Sequence, residues 1–413
     1  MKYLFNPKCH YKNLRVKNFV PITEFASDVL VSDEIKSEYK LENLYGTFNS
    51  NIERLYYING RLIVHGTDGR LCEYYNNSYR FIMDNLTISP EICAVIHGGM
   101  EKLLILCYDK AFLYGDYAES VTGLTFGYNP IFYKGRLLCS MGNTLIISGA
   151  FDFESSSFDT TNKTTINPPL DMGDILRIYN GDDGIIIVYS RGVYSLKYNQ
   201  SQVDFTLTKL WTTDGEIVDK SVGQADDSLY FIVNNNLHQL KGGKVNKIKS
   251  ITENHQFNIV EKAFDFDMNY ALPVNYNGRN YVYIRNARTD SEQFVSVPSK
   301  DCVSGGYLID STLTNMKKFS LRGESYVEPC WISVSLDFDS PYKKRLAEIS
   351  FYSSSKGSFT IDSDGLRSVY SVKPGINIKK MHLVSRQFKF MIKGAKSGLT
   401  IKNMYIKYSE MGE

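Results

Sequence analysis

Short runs of apolar residues, broken by Gly, Asn and Asp, fill most of the chain, and after residue 45 apolar positions do not recur at helical spacing. The pattern predicts strands and turns. Arg54-Leu-Tyr-Tyr-Ile-Asn-Gly60, Arg61-Leu-Ile-Val-His65 and Arg70-Leu-Cys-Glu-Tyr-Tyr75 follow one another across tight turns, one of them Gly66-Thr-Asp-Gly69, as in a meander. Comparable runs recur at 102–108 with 111–114, at 143–148, at 184–189 with 192–196, and at 228–233 with 237–240.

Anchored at Leu62, Leu104, Leu145, Ile186 and Leu229, these runs are spaced by 42, 41, 41 and 43 residues. A further run over 278–284, anchored at Tyr281, follows after 52 and reads as a unit with an insertion. A period of about 40–45 residues, each unit a small antiparallel sheet, is the pattern of β-propeller blades. Blades bury both faces on their neighbours, which explains apolar runs without alternation. Six or seven blades are expected over 46–325, with a series of ordinary β-sandwiches as the alternative. Neither the W-D dipeptide of WD40 repeats nor the S-x-D-x-G-x-T-W box of sialidase-like propellers is present.

The two ends differ from the middle. Residues 1–45, with Pro7, Pro21 and the charged stretch Asp33-Glu-Ile-Lys-Ser-Glu-Tyr-Lys-Leu-Glu42, read as an extended arm with one short helix. The charged stretch itself reads as a solvated connector. Removing residues 1–40 is expected to leave the fold intact and to impair assembly. From 326 onward, six or seven strands over about 88 residues alternate apolar and polar with period two, as at Ile332-Ser-Val-Ser-Leu-Asp-Phe-Asp339. They predict a C-terminal β-sandwich over 326–413, jelly-roll or immunoglobulin-like. The expected fold class is therefore all-β: a propeller followed by a sandwich.

The chain has 413 residues, 43% of them apolar, with 47 Lys+Arg against 45 Asp+Glu. This excludes disorder, collagen and a coiled coil. A formal net charge of +2 gives no global field toward a polyanion, so nucleic-acid sequence recognition is not expected. The basic stretches Lys241-Gly-Gly-Lys-Val-Asn-Lys-Ile-Lys249 and Tyr342-Lys-Lys-Arg345 read as solvated turns. The N-terminus lacks the apolar stretch of a secretory signal, and apolar runs of four or five residues fall short of the ~20 that span a bilayer. A protein that folds in a reducing cytoplasm, neither exported by the Sec route nor inserted in a membrane, is expected. The N-x-S/T matches at Asn76, Asn85, Asn162 and Asn199 then arise by chance.

Seven cysteines (Cys9, Cys72, Cys93, Cys107, Cys139, Cys302, Cys330) show no C-x-x-C spacing and read as small hydrophobes in a reducing compartment. Six histidines (His10, His65, His97, His238, His255, His382) show no pair at metal-ligand spacing. No G-x-S-x-G, P-loop or G-x-G-x-x-G occurs. Asp362-Ser-Asp-Gly365 lacks the remaining ligands of a calcium loop and reads as a β-turn. Asp182-Asp-Gly184 and Asp226-Asp227 resemble carboxylate pairs but precede apolar strands, where turns want Asp and Gly. No catalytic, cofactor-binding or metal-ligating residue is assigned, and no cofactor is expected. The 30 tyrosines suit blade interfaces and protein contact surfaces.

Near the C-terminus, Tyr326-Val-Glu-Pro-Cys-Trp331, Lys344-Arg-Leu-Ala-Glu-Ile-Ser-Phe-Tyr352, Ser371-Val-Lys-Pro-Gly375, Lys389-Phe-Met-Ile-Lys-Gly394 and Glu410-Met-Gly412 form a recognisable series. It resembles tail and stabilisation proteins of tailed phages and prophages of low-GC Gram-positive bacteria. The segment from Gly215 to Gly243, with Ser221-Val-Gly, Ser228-Leu-Tyr-Phe231 and Leu237-His-Gln-Leu-Lys-Gly-Gly243, looks like a blade of phage tail hub and nozzle propellers. Leu237-His238, where a G-I/V-Y turn is common, and the closing Met411-Gly412-Glu413 depart from that pattern.

The resemblance implies a non-enzymatic virion protein of the tail or head-tail junction, a homo-oligomeric ring in contact with other tail or connector proteins. Two other readings stay open. One is a tail-tip protein whose sandwich binds a receptor or carbohydrate, although only Trp211 and Trp331 are available for a Trp platform. The other is a propeller glycosidase, which needs carboxylates or arginines converging from distant blades.

Overall fold

Tight hairpins follow from Asn and Gly at positive φ. Asn59-Gly60 (47°, 82°), Asn277-Gly278 (50°, 78°) and Asp364-Gly365 (52°, 82°) place both central residues in the left-handed region, matching the twist of the strands they join. Asn76, one of the N-x-S/T positions, is another such turn residue, with φ 48°.

The structure is a computed structural model that describes residues 11–17, 19, 23–31, 35–36, 39–97, 100–124, 126–152, 155–168, 171–181, 184–198, 205–250, 252, 257–320, 328–395 and 398–411. Cys9, His10, Pro7, Pro21, Asp182, Asp183, Asn199, His255, Tyr326 and Gly412 lie outside the described residues. The fold is all-β, with short 3-10 turns and no α-helix among the described residues. The helix expected near the N-terminus is accordingly not among them.

Sheet 1 comprises Ile52–Ile58, Arg61–Gly66, Leu71–Tyr75 and Ser78–Met83. Sheet 2 comprises Glu91–His97, Met100–Leu106, Ala111–Tyr114 and Ala118–Val121. Sheet 3 is Tyr128–Tyr133, Arg136–Met141, Thr144–Ile147 and Thr164–Ile166; sheet 4 is Ile175–Gly181, Gly184–Tyr189, Gly192–Tyr198 and Phe205–Thr212. Sheet 5 is Gly223–Ala225, Ser228–Val233, Asn236–Lys241 and Lys244–Lys247. In the sixth, Asn258–Ile259 and Phe264–Phe266 both pair with Asn269–Tyr276, followed by Arg279–Asn286 and Glu292–Ser296. Sheet 7 joins Cys302–Val303, Tyr307–Ile309 and Met316–Ser320 to Lys40–Asn43 from the other end of the chain.

Successive sheets share apolar cores because alternate residues of one strand face opposite neighbours. Leu103 and Ile105 pack with Ile63 and Leu71 of sheet 1, whereas Leu104 and Leu106 pack with Leu137 and Phe158 of the sheet 3 region. The same alternation joins sheet 3 to sheet 4 (Leu145, Ile185), sheet 4 to sheet 5 (Val188, Phe231) and sheet 6 to sheet 7 (Val282, Leu308). Leu55 and Leu62 of sheet 1 then share a core with Ile309 and Met316 of sheet 7, so the last sheet packs on the first.

Two of the repeat anchors fall one strand late. Leu62, Leu104, Ile186 and Leu229 lie in second strands, but Leu145 and Tyr281 lie in the third strands of sheets 3 and 6. Leu138 and Leu272 hold the corresponding second-strand places. Sheet 3 carries a hairpin, Phe151–Asp152 with Ser157–Phe158, before its fourth strand, and this restores the spacing by compensation. The insertion expected ahead of Tyr281 reflects that misplaced anchor.

The sixth sheet continues through Val29–Val31 and Ile35–Lys36 into Thr400–Glu410, Lys344–Ser353 and Gly375–Ser385, giving eleven strands with Lys12–Arg15 beside Thr400–Glu410. A five-stranded sheet, in the order Thr23–Ser27, Cys330–Ser333, Lys389–Gly394, Gly357–Ser363, Leu366–Val372, lies against it. Phe351, Ile401 and Ile406 of one pack with Trp331, Phe359 and Phe390 of the other. Trp331 is wholly buried, edge-on to Phe19 at 5.6 Å, and its indole N–H donates to Thr23 Oγ1 at 2.8 Å.

Lys344 corrects the solvated reading of Tyr342-Lys-Lys-Arg345. It is wholly buried, its ammonium donating to the carbonyls of Ser340 and Arg386 (3.2 Å to the latter). At the start of a strand with alternating faces, Lys344 falls on the inner side, in phase with Leu346.

Candidate functional site

First strands supply a common lining. A cavity of ≈ 1020 Å³ is bounded by Ile58 and Asn59, by residues 92–96, by Pro130, Phe132 and Lys134, and by Asn180, which belong to sheets 1 to 4. A second, of ≈ 300 Å³, is bounded by Tyr179, Gln224, Asp226, Asp265 and Ser304 of sheets 4 to 7. Ion pairs outside these linings connect first strands to neighbouring elements. Arg54 of sheet 1 reaches Glu91 of sheet 2 at 3.6 Å, and Arg177 of sheet 4 donates to Asp219 at 2.9 Å.

Lys262 joins this group. Its side chain is exposed, yet partial desolvation pushes its pKa down and Arg177 and Arg54 add to the effect, while Glu91 and Asp219 oppose it. One guanidinium nitrogen of Arg177, Nη2, is buried without a hydrogen-bond partner. Asp265 points into the second cavity, where partial desolvation pushes its pKa up, opposed by the Ser304 hydroxyl that donates to it at 2.7 Å. The arginines converge from distant sheets, as a glycosidase reading requires, but each faces a carboxylate.

The carboxylate neighbours Asp226 and Asp227 do not act as a pair. Asp226, with φ 54°, accepts from Arg288 Nε at 3.0 Å, whereas Asp227 faces Lys241 at 3.0 Å. The Lys241 contact, chief among its hydrogen bonds, holds Asp227 below the usual carboxylate range. Asp362 Oδ1 accepts the Gly365 N–H at 3.0 Å across the turn. Among the described residues no three His, Cys, Asp or Glu side chains gather as a metal site.

His65 is buried against Ser89 Oγ at 3.0 Å and Glu53 at 3.3 Å, and burial pushes its pKa down. His238 stacks on Phe231 at 5.7 Å beside Trp211. Cys72, Cys93, Cys107, Cys139 and Cys302 are buried free thiols; burial pushes Cys139 up to about 12, so none of this set is poised as a thiolate. Sequence reading missed Arg54, Glu91 and Arg177, whose placement depends on which strands come first in each sheet, and Lys262, which lies in the loop before Phe264–Phe266.

No family model and no curated protein sequence matches this chain. Among solved structures, the extracellular domain described as part of a hybrid two-component system from B. thetaiotaomicron is similar over 86% of this chain, at 12% identity and a TM-score of 0.47. This chain spans 57% of that domain's length. YjhT is similar over 62% of this chain and 97% of its own, at 9% identity and a TM-score of 0.35. No helix among the described residues is long and apolar enough to cross a membrane.

Proposed function

We propose that this chain is a non-enzymatic structural protein of a tailed-phage virion, built as a seven-bladed β-propeller with a C-terminal β-sandwich and acting through protein contacts. The sequence resemblance supplies the tail or head-tail junction as its location. The carrying observation is a pair of adjoining edge strands, Leu366–Val372 and Gly375–Ser385, each paired on one side only among the described residues. They expose Leu366 (76%), Val369 (67%), Ile376 (79%) and Ile378 (57%). Arg367 and Lys380 place charge on the same strands, but the apolar positions remain open, and exposed apolar residues on an unpaired edge favour association. Pairing along these edges would order copies of the chain about a common axis, with the sheet succession as a rigid body between contacts. Light scattering coupled to size-exclusion chromatography, with negative-stain imaging of the eluate, tests this reading. Rings or stacked oligomers are expected; a monomer at all concentrations, with no binding to tail or connector proteins, overturns it.

A further inference from the structure

The outer face of the five-stranded sheet holds a cleft of ≈ 500 Å³, closed on one side by Tyr276 from the sixth sheet. This volume falls in the range of small-ligand sites. Tyr276 is itself braced by stacking on buried Phe25 at 4.6 Å. Strand register orders the floor into rows. In the first row Asp362 stands between Arg367 and Lys389, its Cα partners on either side. Arg367 Nε donates to Asp362 Oδ2 at 3.2 Å, and Lys389 pairs with Glu24. The row thus runs cation, anion, cation, anion across the sheet.

The next row is mostly apolar: Val369, Thr360, Met391 and Ile332 stand side by side. Beyond it come Ser358 and Lys393.

We propose that this cleft binds an uncharged oligosaccharide, one sugar ring seated on the apolar row with its hydroxyls on the charged row. Each sugar hydroxyl both donates and accepts, and a row alternating cationic donors with carboxylate acceptors meets adjacent hydroxyls in kind. The four charges of the row sum to zero, so the row itself offers no net attraction to an anionic polymer, and Lys393 adds a single positive charge at the far side of the cleft. The apolar row and the Tyr276 wall suit the C–H faces of a pyranose, which a peptide backbone does not present. The inference does not rest on the proposed virion role, although the cleft shares Val369 with one of the apolar edges, so copies paired along that edge would cover part of it.

The full-length chain is titrated with tetrasaccharides of glucose, galactose and N-acetylglucosamine, and with tetragalacturonate as the charged counterpart, followed by saturation-transfer NMR and calorimetry. At least one neutral tetrasaccharide should bind, and Arg367→Ala and Thr360→Tyr should each weaken it at least about tenfold, as expected for loss of a charged hydrogen bond or of space. Both positions lie on the sheet surface, and unchanged thermal melting shows that the variants fold. Binding by none of the neutral sugars, affinity retained in the folded variants, or tighter binding of tetragalacturonate overturns the proposal.

Discussion

Leu41 stands directly opposite Phe319 in antiparallel register, and both are buried in one cluster with Phe266 and Val282. Sheet 7 is therefore completed by a strand that sequence reading placed in a separable arm. Deleting residues 1–45 removes this strand together with Thr23–Ser27 and Val29–Val31. Burying one large apolar side chain contributes about 1.5–3 kcal/mol, so losing several should lower the melting temperature markedly. A truncated chain that melts with the parent would refute this closure.

Trp331 donates its indole N–H to Thr23 in a wholly buried setting. Thr23→Val leaves that donor unmet, at a cost of about 1–3 kcal/mol, whereas Thr23→Ser retains the acceptor and costs less. Denaturant unfolding followed by tryptophan fluorescence distinguishes the two variants.

Asp28 is buried, with Ser296 Oγ donating to it at 2.9 Å. Desolvation outweighs that bond and raises its pKa to about 7 from 3.8. Between these values the folded state holds the proton more tightly than the unfolded chain, so stability falls as pH rises from about 4 to 7 and levels off beyond. Asp28→Asn should abolish this slope and stabilise the protein at pH 8 by on the order of 3 kcal/mol. Chemical denaturation at pH 5 and pH 8 gives the answer; a variant whose stability tracks the parent's at both would count against it.

Arg285 is buried against Glu292, which also accepts the Tyr283 hydroxyl at 2.8 Å, and Arg285 reaches Asp290 at 2.7 Å. Glu292→Leu strands most of a buried charge and should cost about 3–5 kcal/mol. The double variant Arg285→Met with Glu292→Leu should recover part of that loss. Equal destabilisation of single and double variants in urea would show that the pair is not the source.

Ile376→Lys combined with Ile378→Lys places two charges on the exposed edge strand. Self-association measured by sedimentation should fall about tenfold or more, with melting unchanged, if that edge carries the contact.

Much of the middle was legible because its physics is local. Leu103-Leu-Ile-Leu106 reads as a strand covered on both faces, and its four side chains divide between two cores. Spacing alone does not distinguish a second strand from a third: the period stays regular through Leu145 although it lies in a third strand, and the third-strand position of Tyr281 reads as an insertion. Lys40–Asn43 carries no local mark of its role, because its register is fixed by Met316–Ser320 at the far end of the chain. Lys344 was misread for a related reason: the carbonyls that satisfy it come from Ser340 and Arg386, and only folding brings the latter near. The cleft rows depend likewise on how five strands are placed side by side, which composition does not encode.

The placement of Lys40–Asn43 also sets an order of events during synthesis. This strand leaves the ribosome early, yet its hydrogen-bonding partners are made more than two hundred residues later. Until then its backbone and the apolar side chain of Leu41 must wait unpaired, a condition that slows folding and invites pairing with other chains. Sheets 1 to 5 can form as they emerge, but closure is a late step, and a translation pause before residue 316 would hold the chain in its most association-prone form.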